Sequence, residues 1–429
     1  MADSGTELTV MVDALGPRGD GIAASDAGRL YIAGALPGET VRARTLGKRG
    51  EGHAAKLIEL VTPSGDRASP PCPHFDACGG CSVQHFAMDA YRAWKQELVA
   101  TAIARVGLDP ATVAPLVPTV TDGRRRATFA AFRPRAKGSK TFFGFHGRAS
   151  RHVVEIEECL ILRPELMALV PDLRALLGEL VPPGARWDVA VTLADNGPDL
   201  LIAANHDPGP DAGMALAMFA EAHGFARIAW RNESHGAVEP VALRETPVLE
   251  VSGVPVEIPP GVFLQASAQA EQVLSGLVVP AAAGSRVADL YCGVGTFALP
   301  LAAAGANVLA VDGDADAVGA LARAAGTVGF GGQVTTDTRD LVRRPLAAAE
   351  LKGMETIVFD PPRAGAPAQA EEIARSGAAR VIAVSCNPTT FARDARTLAD
   401  AGFTIERVTP VDQFVWTGHV ELVGVFSRQ

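Results

Sequence analysis

From residue 284 onward, apolar stretches of strand length alternate with stretches of helix length, and this alternation constrains the fold more than any other feature of the sequence. Alternation of this kind is typical of a mostly parallel, doubly wound α/β sheet. Ligands bind such sheets at the carboxyl ends of the strands, so the residues that follow each strand are the candidates for chemistry. The predicted strands are Arg286–Tyr291, Asn307–Val311, Thr356–Phe359, Arg380–Val384, Thr404–Val411 and Val420–Phe426.

Glycine and acidic residues follow the first predicted strands. The first strand runs into a loop in which Gly293 and Gly295 let the backbone pass close to a ligand. The second strand ends at Asp312, whose carboxylate could accept hydrogen bonds from ribose hydroxyls, and Asp340 lies further on, where an adenine amino group could be met. The glycine pattern alone also fits a dehydrogenase fingerprint or a tight turn without a ligand, so a nicotinamide cofactor stays open at this point.

The next two predicted strands end in turns with reactive side chains. After Phe359 the chain reads Asp360-Pro-Pro-Arg363, and two prolines after a strand force a rigid, extended turn that would hold Asp360 and Arg363 over the edge of the sheet. The other turn reads Ser385-Cys386-Asn387-Pro388, which puts a thiol where the substrate should lie. A small buried hydrophobe is the alternative role for Cys386.

The N-terminal part of the chain is predicted to form a small antiparallel β-barrel. Its strands are short, as in small barrels, and Gly and Pro occupy the turns between them. A stretch rich in Pro, Ser and Gly at 63–73 then predicts a linker. The predicted strands are Leu8–Val12, Arg29–Ala33, Glu39–Leu46 and Gly52–Val61.

The segments between the barrel and the α/β region are mixed. Residues 84–107 carry apolar side chains at helical spacing and end in Gly107, which predicts an amphipathic helix. Residues 124–260 are predicted to alternate strands with two helices, near 164–180 and 210–224. A mixed central domain is therefore expected.

Four cysteines form a candidate metal site, in the pattern C-x5-C-x2-C with one distant partner. Six cysteines in 429 residues are too few for a disulfide scaffold. Four thiolates satisfy either a structural zinc or a [4Fe–4S] cluster, and the spacing does not decide between them. A reducing compartment disfavours two disulfides as the alternative. The candidate ligands are Cys72, Cys78, Cys81 and Cys159.

The charge pattern favours local contact with RNA over a basic surface all round. The net charge is −9, yet nine Arg or Lys residues and no Asp or Glu lie between Gly123 and Val154. Such a segment is a candidate for phosphate contact, and we expect its phenylalanines to be core residues more than base-stacking surfaces. The basic residues are Arg124, Arg125, Arg126, Arg133, Arg135, Lys137, Lys140, Arg148 and Arg151.

The sequence predicts a cytoplasmic protein without a membrane partner. The start of the chain has no basic and apolar leader pattern, and the most apolar stretch, 287–311, is interrupted by Asp, Gly, Pro and Asn residues.

Taken together, the motifs resemble those of the S-adenosylmethionine-dependent RNA 5-methyluridine methyltransferases. The resemblance rests on Asp289–Thr296, Asp360-Pro-Pro-Arg363, Ser385-Cys-Asn-Pro388, His419-Val-Glu421 and Phe263-Leu-Gln265. It runs nearly the whole length and implies a Rossmann-like class I methyltransferase domain, an N-terminal barrel of the TRAM type, and a [4Fe–4S] cluster on the four cysteines, as in the ribosomal-RNA branch.

The resemblance also implies a division into three domains. Residues 1–62 would be the TRAM-like barrel, and 63–83 with 118–262 the central domain for the iron–sulfur cluster and RNA. Residues 84–117 with 263–429 would form the methyltransferase domain.

Site roles follow from the same resemblance. Cys386 would be the nucleophile and Glu421 the base, while Glu406, the competing glutamate, lies in no family motif. Three positions depart from the family pattern, because Ser267 stands for Asn or Asp, Thr296 for Asn, and Asp312 for Glu. The residues implied to line the pocket for S-adenosylmethionine and the base are Gln265, Tyr291, Thr296, Asp312, Asp340 and Asp360.

The expected function is methylation of C5 of a uridine in RNA by a monomeric enzyme, with 23S rRNA favoured and tRNA as the alternative. Two other classes stay open: a nicotinamide-dependent oxidoreductase with a metal cluster, and an RNA-binding protein with an inactive Rossmann-like half. The sequence leaves undecided which uridine is modified and whether Asp360 or Arg363 steadies the uracil.

Overall fold

The computed structural model describes residues 5–26, 28–282 and 284–428, and its first sheet is a curled N-terminal one. The strand order is β1-β5-β6-β4-β3-β2, and alternate side chains such as Leu30, Ile32 and Val41 are fully buried inside the curl. The antiparallel prediction is wrong for one pair, because β4 and β6 run parallel. Residues 1–4 of the predicted barrel lie outside the described residues. The strands are β1 (Glu7–Met11), β2 (Ala14–Leu15), β3 (Asp20–Ala23), β4 (Arg29–Ala33), β5 (Thr40–Arg49) and β6 (Gly52–Thr62).

A helix and a short strand connect the first sheet to the second. Helix α1 (Met88–Arg105) starts four residues later than the predicted segment, and β7 (Val117–Pro118) follows it. The second sheet begins with β8 (Arg126–Phe132), β9 (Phe142–His146) and β10 (Val153–Glu155).

The second sheet and its helices form the mixed central region that the sequence predicts. The strand order is β10-β9-β8-β11-β12-β13-β14. The helix predicted near 164–180 is divided at Leu169, since Pro171 has no amide hydrogen to continue the helical ladder. The remaining elements are α2 (Pro164–Ala168), α3 (Val170–Leu180), β11 (Arg186–Ala194), β12 (Gly197–Ala204), α4 (Pro210–Ala222), β13 (Arg227–Asn232) and β14 (Val238–Leu243).

The C-terminal region confirms the predicted doubly wound α/β fold. Its first elements are a hairpin of β15 (Val248–Val251) and β16 (Val254–Glu257), followed by α5 (Ala268–Ala281). The sheet and its helices are β17 (Arg286–Leu290), α6 (Ala298–Ala303), β18 (Asn307–Asp312), α7 (Ala315–Thr327), β19 (Val334–Thr338), β20 (Thr356–Phe359), α8 (Pro367–Arg375), β21 (Arg380–Ser385), α9 (Pro388–Asp400), β22 (Thr404–Asp412) and β23 (Glu421–Ser427).

The strand order of this sheet is β19-β18-β17-β20-β21-β23-β22-β7. Strands β17 to β21 run parallel, and β23 is antiparallel to both of its neighbours. Strand β19 was not predicted, because its sequence VTTDT is polar and, as an edge strand, it needs little apolar surface. The six strands predicted for this sheet agree with the observed ones to within one residue at either end.

The packing between regions bears on the predicted domain boundaries. The hairpin β15–β16 puts Leu249, Val251, Val254 and Val256 into the same core as α7, although the predicted central domain extends to residue 262. Strand β7 pairs with β22, so the segment before it accompanies the C-terminal sheet. The three-domain division otherwise stays a prediction.

Of the helices in the described part of the chain, none is both long enough and apolar enough to cross a membrane.

Candidate active site

The glycine loop after β17 leaves space beside its backbone. The Tyr291 and Cys292 amides donate to the Val311 carbonyl (2.8 and 3.2 Å), so the loop folds over the end of β18. Gly295 has φ +102°, and a Cβ there would lie 2.5 Å from Leu321 Cδ1, so this glycine is needed for packing. Gly293 has φ +53°, and a Cβ there would meet none of the described residues within 4 Å. A ligand could therefore approach the backbone at Gly293.

Asp312, the last residue of β18, and Asp340, which follows β19, stabilise the loops around this space. Asp312 Oδ2 accepts from the Gly293 amide (2.9 Å), and Oδ1 accepts from the Asp314 amide (2.9 Å). The Arg339 amide donates to the Asp312 carbonyl (2.8 Å), which brings Asp340 beside Asp312. Asp340 Oδ1 accepts from the Val342 amide (3.0 Å). Each carboxylate keeps further lone pairs free for a ligand.

Two other predicted residues border the same loop. The Tyr291 hydroxyl is buried without a hydrogen-bond partner among the described residues, and burial is the main cause that raises the pKa of Tyr291 to about 12. Its φ of +64° is unusual for a residue with a side chain. Thr296 is half-buried, and its carbonyl accepts from Ser275 Oγ in α5 (3.3 Å).

Asp289, which the sequence analysis did not include among the site residues, is a buried carboxyl within β17. It is fully buried, and neither of its oxygens makes a hydrogen bond of good geometry with the described residues. Burial and then the charge of Asp360 raise its pKa well above the ordinary value, and the nearby Ala298 amide only partly opposes this. Its place at the start of the Asp289–Thr296 motif was the sequence signal that could have marked it as a site residue.

The proline turn after β20 positions Asp360 and joins the turn that carries Cys386. The Asp360 amide donates to the Leu290 carbonyl (3.1 Å). Burial of the carboxyl group is the main cause that raises the pKa of Asp360 to about 7, and the charge of Asp312 adds to it. Arg363 is exposed, but its carbonyl accepts from Asn387 Nδ2 (3.0 Å). The two turns therefore form one unit.

Cys386 and Glu421 lie at adjacent ends of antiparallel strands. Ser385 of β21 pairs with Leu422 of β23, so continuing the register by one residue puts Cys386 opposite Glu421. Burial, then the charges of Glu421 and Asp360, raise the pKa of the half-buried Cys386 to about 11, and Arg363 opposes them.

Glu421 is the more deeply buried member of this pair, with 4% of its surface exposed. Burial, then the charge of Asp360, raise its pKa to about 8. Glu406, by contrast, is at the surface and pairs with Arg380 (3.2 Å), so it does not reach this site.

Gln265 reaches Glu421 through a residue that no sequence signal singled out. Gln413 Nε2 donates to Gln265 Oε1 (3.0 Å) and to Glu421 Oε2 (3.1 Å). Gln265 and Gln413 come from segments 148 residues apart, so no local pattern relates them.

The four predicted metal ligands line one cavity of about 450 Å³. All six cysteines lie within the described residues and are free thiols. Burial raises the pKa values of Cys72, Cys78 and Cys81, and the charge of Cys159 adds to this in each case. Among the described residues, no group of three or more His, Cys, Asp or Glu side chains is placed to hold a metal ion. The thiols thus share a cavity without converging on a single-ion centre.

Part of the predicted basic surface is internal. Arg125 is buried in an ion pair with Glu271 (2.6 Å), so the expectation that it contacts phosphate is wrong. Arg124 lies over the Phe414 ring, beside the cysteine cavity, and Arg126 donates to the Leu264 carbonyl (2.8 Å). Phe129 and Phe143 are fully buried, as expected for core residues. The side chains that stay exposed in this segment include Arg135, Lys137 and Arg151.

Comparisons with known proteins identify the family. The family model of tRNA (Uracil-5-)-methyltransferase matches residues 332–429. An RNA methyltransferase of Caulobacter vibrioides is 43% identical over 97% of this chain and 99% of its own length. The 23S rRNA (uracil(1939)-C(5))-methyltransferase of Pectobacterium atrosepticum is 35% identical over 98% of this chain and 93% of its own.

A solved structure shares the fold. The tRNA (uracil-54, C5)-methyltransferase of Pyrococcus abyssi, in complex with S-adenosyl-L-homocysteine, has a TM-score of 0.75 at 22% identity and covers 98% of this chain and 100% of its own. The relatives named here are methyltransferases, so the nicotinamide-dependent alternative has no support. The chain belongs to the RNA uracil-5-methyltransferase family.

Proposed function

We propose that this enzyme methylates C5 of a uridine in RNA, with S-adenosylmethionine as donor, Cys386 as nucleophile and Glu421 as base. The observation that carries the proposal is the adjacency of these two side chains at the ends of β21 and β23, where the charge of Glu421 acts on the thiol. A thiol beside a buried carboxyl can supply both the covalent step and the proton removal that uracil methylation needs.

The first step activates a poorly nucleophilic carbon. Cys386 Sγ gives its proton to water and adds to C6 of the uracil, and the electron pair of the C5–C6 double bond moves through C5 and C4 onto O4 to form an enolate. C5 of the enolate would then form a bond to the methyl carbon of a bound sulfonium donor, while the methyl–sulfur bond breaks and its electron pair stays on the sulfur.

The second step restores the ring. The Glu421 carboxylate takes the C5 proton, and the electron pair of that bond rebuilds the C5–C6 double bond while Sγ leaves as a thiolate. A carboxylate with a raised pKa is a stronger base than an ordinary one, although a smaller share of it is ionised at neutral pH.

The charges around Cys386 suggest when its thiolate forms. With a pKa of about 11, the free protein holds a thiol at neutral pH. Neutralising Asp360 or Glu421, by proton uptake or by hydrogen bonding to substrate, would lower that pKa. The charge of Arg363 lowers the pKa of Cys386. Arg363 is therefore a candidate for stabilising the thiolate as well as the enolate.

The donor would bind along the glycine loop. The space beside Gly293 and the free lone pairs of Asp312 and Asp340 suit the backbone approach and the ribose and adenine contacts of a nucleoside. Gln265, Tyr291, Thr296 and Asp360 would complete the pocket. The likeness to a structure solved with S-adenosyl-L-homocysteine agrees with this choice of ligand.

We further propose a [4Fe–4S] cluster on Cys72, Cys78, Cys81 and Cys159. A zinc ion would need four sulfurs about 2.3 Å from one centre, whereas a four-iron cluster is larger and suits thiols spread around a cavity. Arg124 in the cavity wall faces the charges of Cys159 and Cys81 and would balance an anionic cluster. A brown protein with iron in a ratio of about four per chain, lost in Cys159→Ala, supports this; bound zinc would contradict it.

The favoured substrate is 23S rRNA, because a 23S rRNA methyltransferase is similar over nearly the full length. Transfer RNA is the second candidate, since the structure of similar fold is a tRNA methyltransferase. The uridine would have to be flipped out or lie in a loop to reach Cys386. We propose that the enzyme works as a monomer in the cytoplasm, where its free thiols would stay reduced.

The activity is tested by mapping 5-methyluridine by mass spectrometry in ribosomal and transfer RNA from cells with and without the gene. We expect one ribosomal site to lose the modification. Loss in tRNA alone would overturn the favoured substrate, and no change in either RNA would contradict the proposed activity.

The mechanism is tested with two variants. Cys386→Ala should abolish both methyl transfer and the covalent RNA adduct, while Glu421→Gln should form the adduct and accumulate it. Glu406→Gln is the matched control, because Glu406 is exposed and lies away from the site. Normal turnover by Cys386→Ala would exclude the covalent route.

A further inference from the structure

We propose that Gln413 is the positioning residue for the base: its side-chain amide orients Glu421 for proton removal and links it to Gln265. The inference rests on the proposed function, in which Glu421 takes the C5 proton.

The contacts of Gln413 fix the direction of its amide. Nε2 donates to Glu421 Oε2 (3.1 Å) and to Gln265 Oε1 (3.0 Å), so both amide hydrogens are used. An ionised carboxylate can only accept, and it therefore selects this orientation. The arrangement favours the charged form of Glu421, which is the form that acts as a base.

Burying the Gln413 side chain destabilises the fold, which a purely structural role would not explain. The side chain is 8% exposed, and its Oε1 has no hydrogen-bond partner in the described part of the chain. A buried acceptor without a partner destabilises a fold. A methionine of similar length would fill the same volume without this penalty, so the amide nitrogen is what the position requires.

The chain on either side of Gln413 is fixed by helix α1. Lys95 is fully buried, forms an ion pair with Asp412 and donates to the Phe414 carbonyl (2.9 Å). Tyr91 donates to the same Asp412 carboxylate (2.9 Å). These bonds hold the residues before and after Gln413, so its side chain is presented to Glu421 from a rigid segment.

The segment is also attached to the chain beside the cysteine cavity. The amides of Ser82 and Val83, which directly follow Cys81, both donate to the Trp416 carbonyl (2.9 and 3.1 Å). Gln413 itself lines that cavity. The position of the amide thus depends on α1 and on the segment just before it, both of which are remote from Gln413 in sequence.

The other groups that face Glu421 act against its ionised form. Asp360, after β20, raises the pKa of Glu421, and Cys386, after β21, would add repulsion as a thiolate. Arg363 lies on the turn of Asp360 and acts on Cys386. The Gln413 hydrogen bond lowers the pKa of Glu421. Without it, the carboxylate would take up a proton at a higher pH.

Gln413→Met tests the inference, because methionine keeps the volume and cannot donate. We expect turnover at pH 7 to fall by about tenfold or more, as for loss of a hydrogen bond to a charged group. The acid limb of the pH–rate profile should move to higher pH, the rate should recover at pH 9, and the RNA adduct should accumulate at pH 7. The RNA KM should change much less than kcat.

The matched control is Gln369→Met, the same change at a buried glutamine of α8 whose side chain, among the described residues, bonds to the backbone of Leu346 alone. It reports the loss of stability alone and should leave the pH profile in place. A Gln413→Met profile that keeps its wild-type position, or a loss of rate equal at every pH, would overturn the inference while Glu421→Gln still traps the adduct. Normal turnover by Glu421→Gln would instead refute the proposed function, and the inference with it.

Discussion

At the scale of single residues, this site is defined by acidic groups whose protons are held more firmly than usual. Asp289, Asp360 and Glu421 are packed among apolar strands, and each carries a raised pKa because burial and neighbouring negative charge disfavour the anion. Such perturbed groups cluster at functional sites. Burial, then the charges of Glu421 and Asp360, keep the Cys386 thiol protonated in the free protein.

A pH-dependent test follows for Cys386. Burial raises the thiol pKa most, and the charge of Glu421 adds to it, giving about 11. Removing that charge in Glu421→Gln should lower the pKa of Cys386 and speed its alkylation by iodoacetamide at pH 8, by about tenfold for each unit of pKa. The measurement is the rate of Cys386 modification against pH, followed by mass spectrometry.

Glu406→Gln provides the comparison for this labelling, since it removes a carboxylate that pairs with Arg380 at the surface. The assignment of Glu421 as a neighbour of the thiol would be wrong if the two variants gave the same alkylation profile.

At the scale of elements, the site is a set of strand ends joined by turns. Parallel β17, β18 and β20 bring Asp289, Asp312 and Asp360 together, and the antiparallel β23 returns Glu421 to Cys386. The glycine loop joins these ends to α7. Gly295 is packed against Leu321, whereas Gly293 borders open space. Substitutions at the two positions can therefore test packing and ligand contact separately.

Alanine substitutions at these glycines should therefore differ. Gly295→Ala places a Cβ 2.5 Å from Leu321 Cδ1 at φ +102°, so we expect the melting temperature to fall and donor binding to be lost. Gly293→Ala meets open space at φ +53°, so we expect a loss of stability of about 1 kcal/mol and a larger loss of donor affinity.

Thermal unfolding and calorimetry with S-adenosylmethionine measure the two effects. If Gly293→Ala bound the donor as tightly as the wild type, the space beside Gly293 would not be the donor site.

At the scale of the whole molecule, regions that are distant in sequence supply parts of one site. Helix α1 holds the segment of Gln413, and Arg125, just before β8, pairs with Glu271 in α5. The sequence predicts the basic stretch as one surface, but part of it forms a buried ion pair and part stays exposed.

Substituting the buried arginine should therefore affect stability, whereas substituting an exposed one should affect RNA binding. Arg125→Met leaves Glu271 buried without a partner, and we expect a loss of about 3–5 kcal/mol in the free energy of unfolding. Arg135→Ala at the exposed face should leave stability unchanged and reduce the salt dependence of RNA binding by about one phosphate contact.

Chemical denaturation and RNA titrations at several salt concentrations distinguish the two. Weaker RNA binding by Arg125→Met with no loss of stability would contradict the structural role of this ion pair.

The sequence by itself determined the order of strands and helices in the C-terminal region and the residues that follow each strand. These properties depend on local periodicity and on glycine and proline, whose effects act within a few residues. Edge strand β19 was missed because a short polar strand has no such periodicity. The motif residues from Asp289 to Glu421 could be selected for the same reason, since each follows or belongs to a local element.

Only the tertiary structure decided which of these groups meet and which are buried. The bonds of Gln413 to Gln265 and of Lys95 to Asp412 join segments 148 and 317 residues apart, and the burial of Arg125 depends on a helix far along the chain. Contacts of this kind arise from the packing of sheets against each other, and local sequence patterns carry no record of that packing.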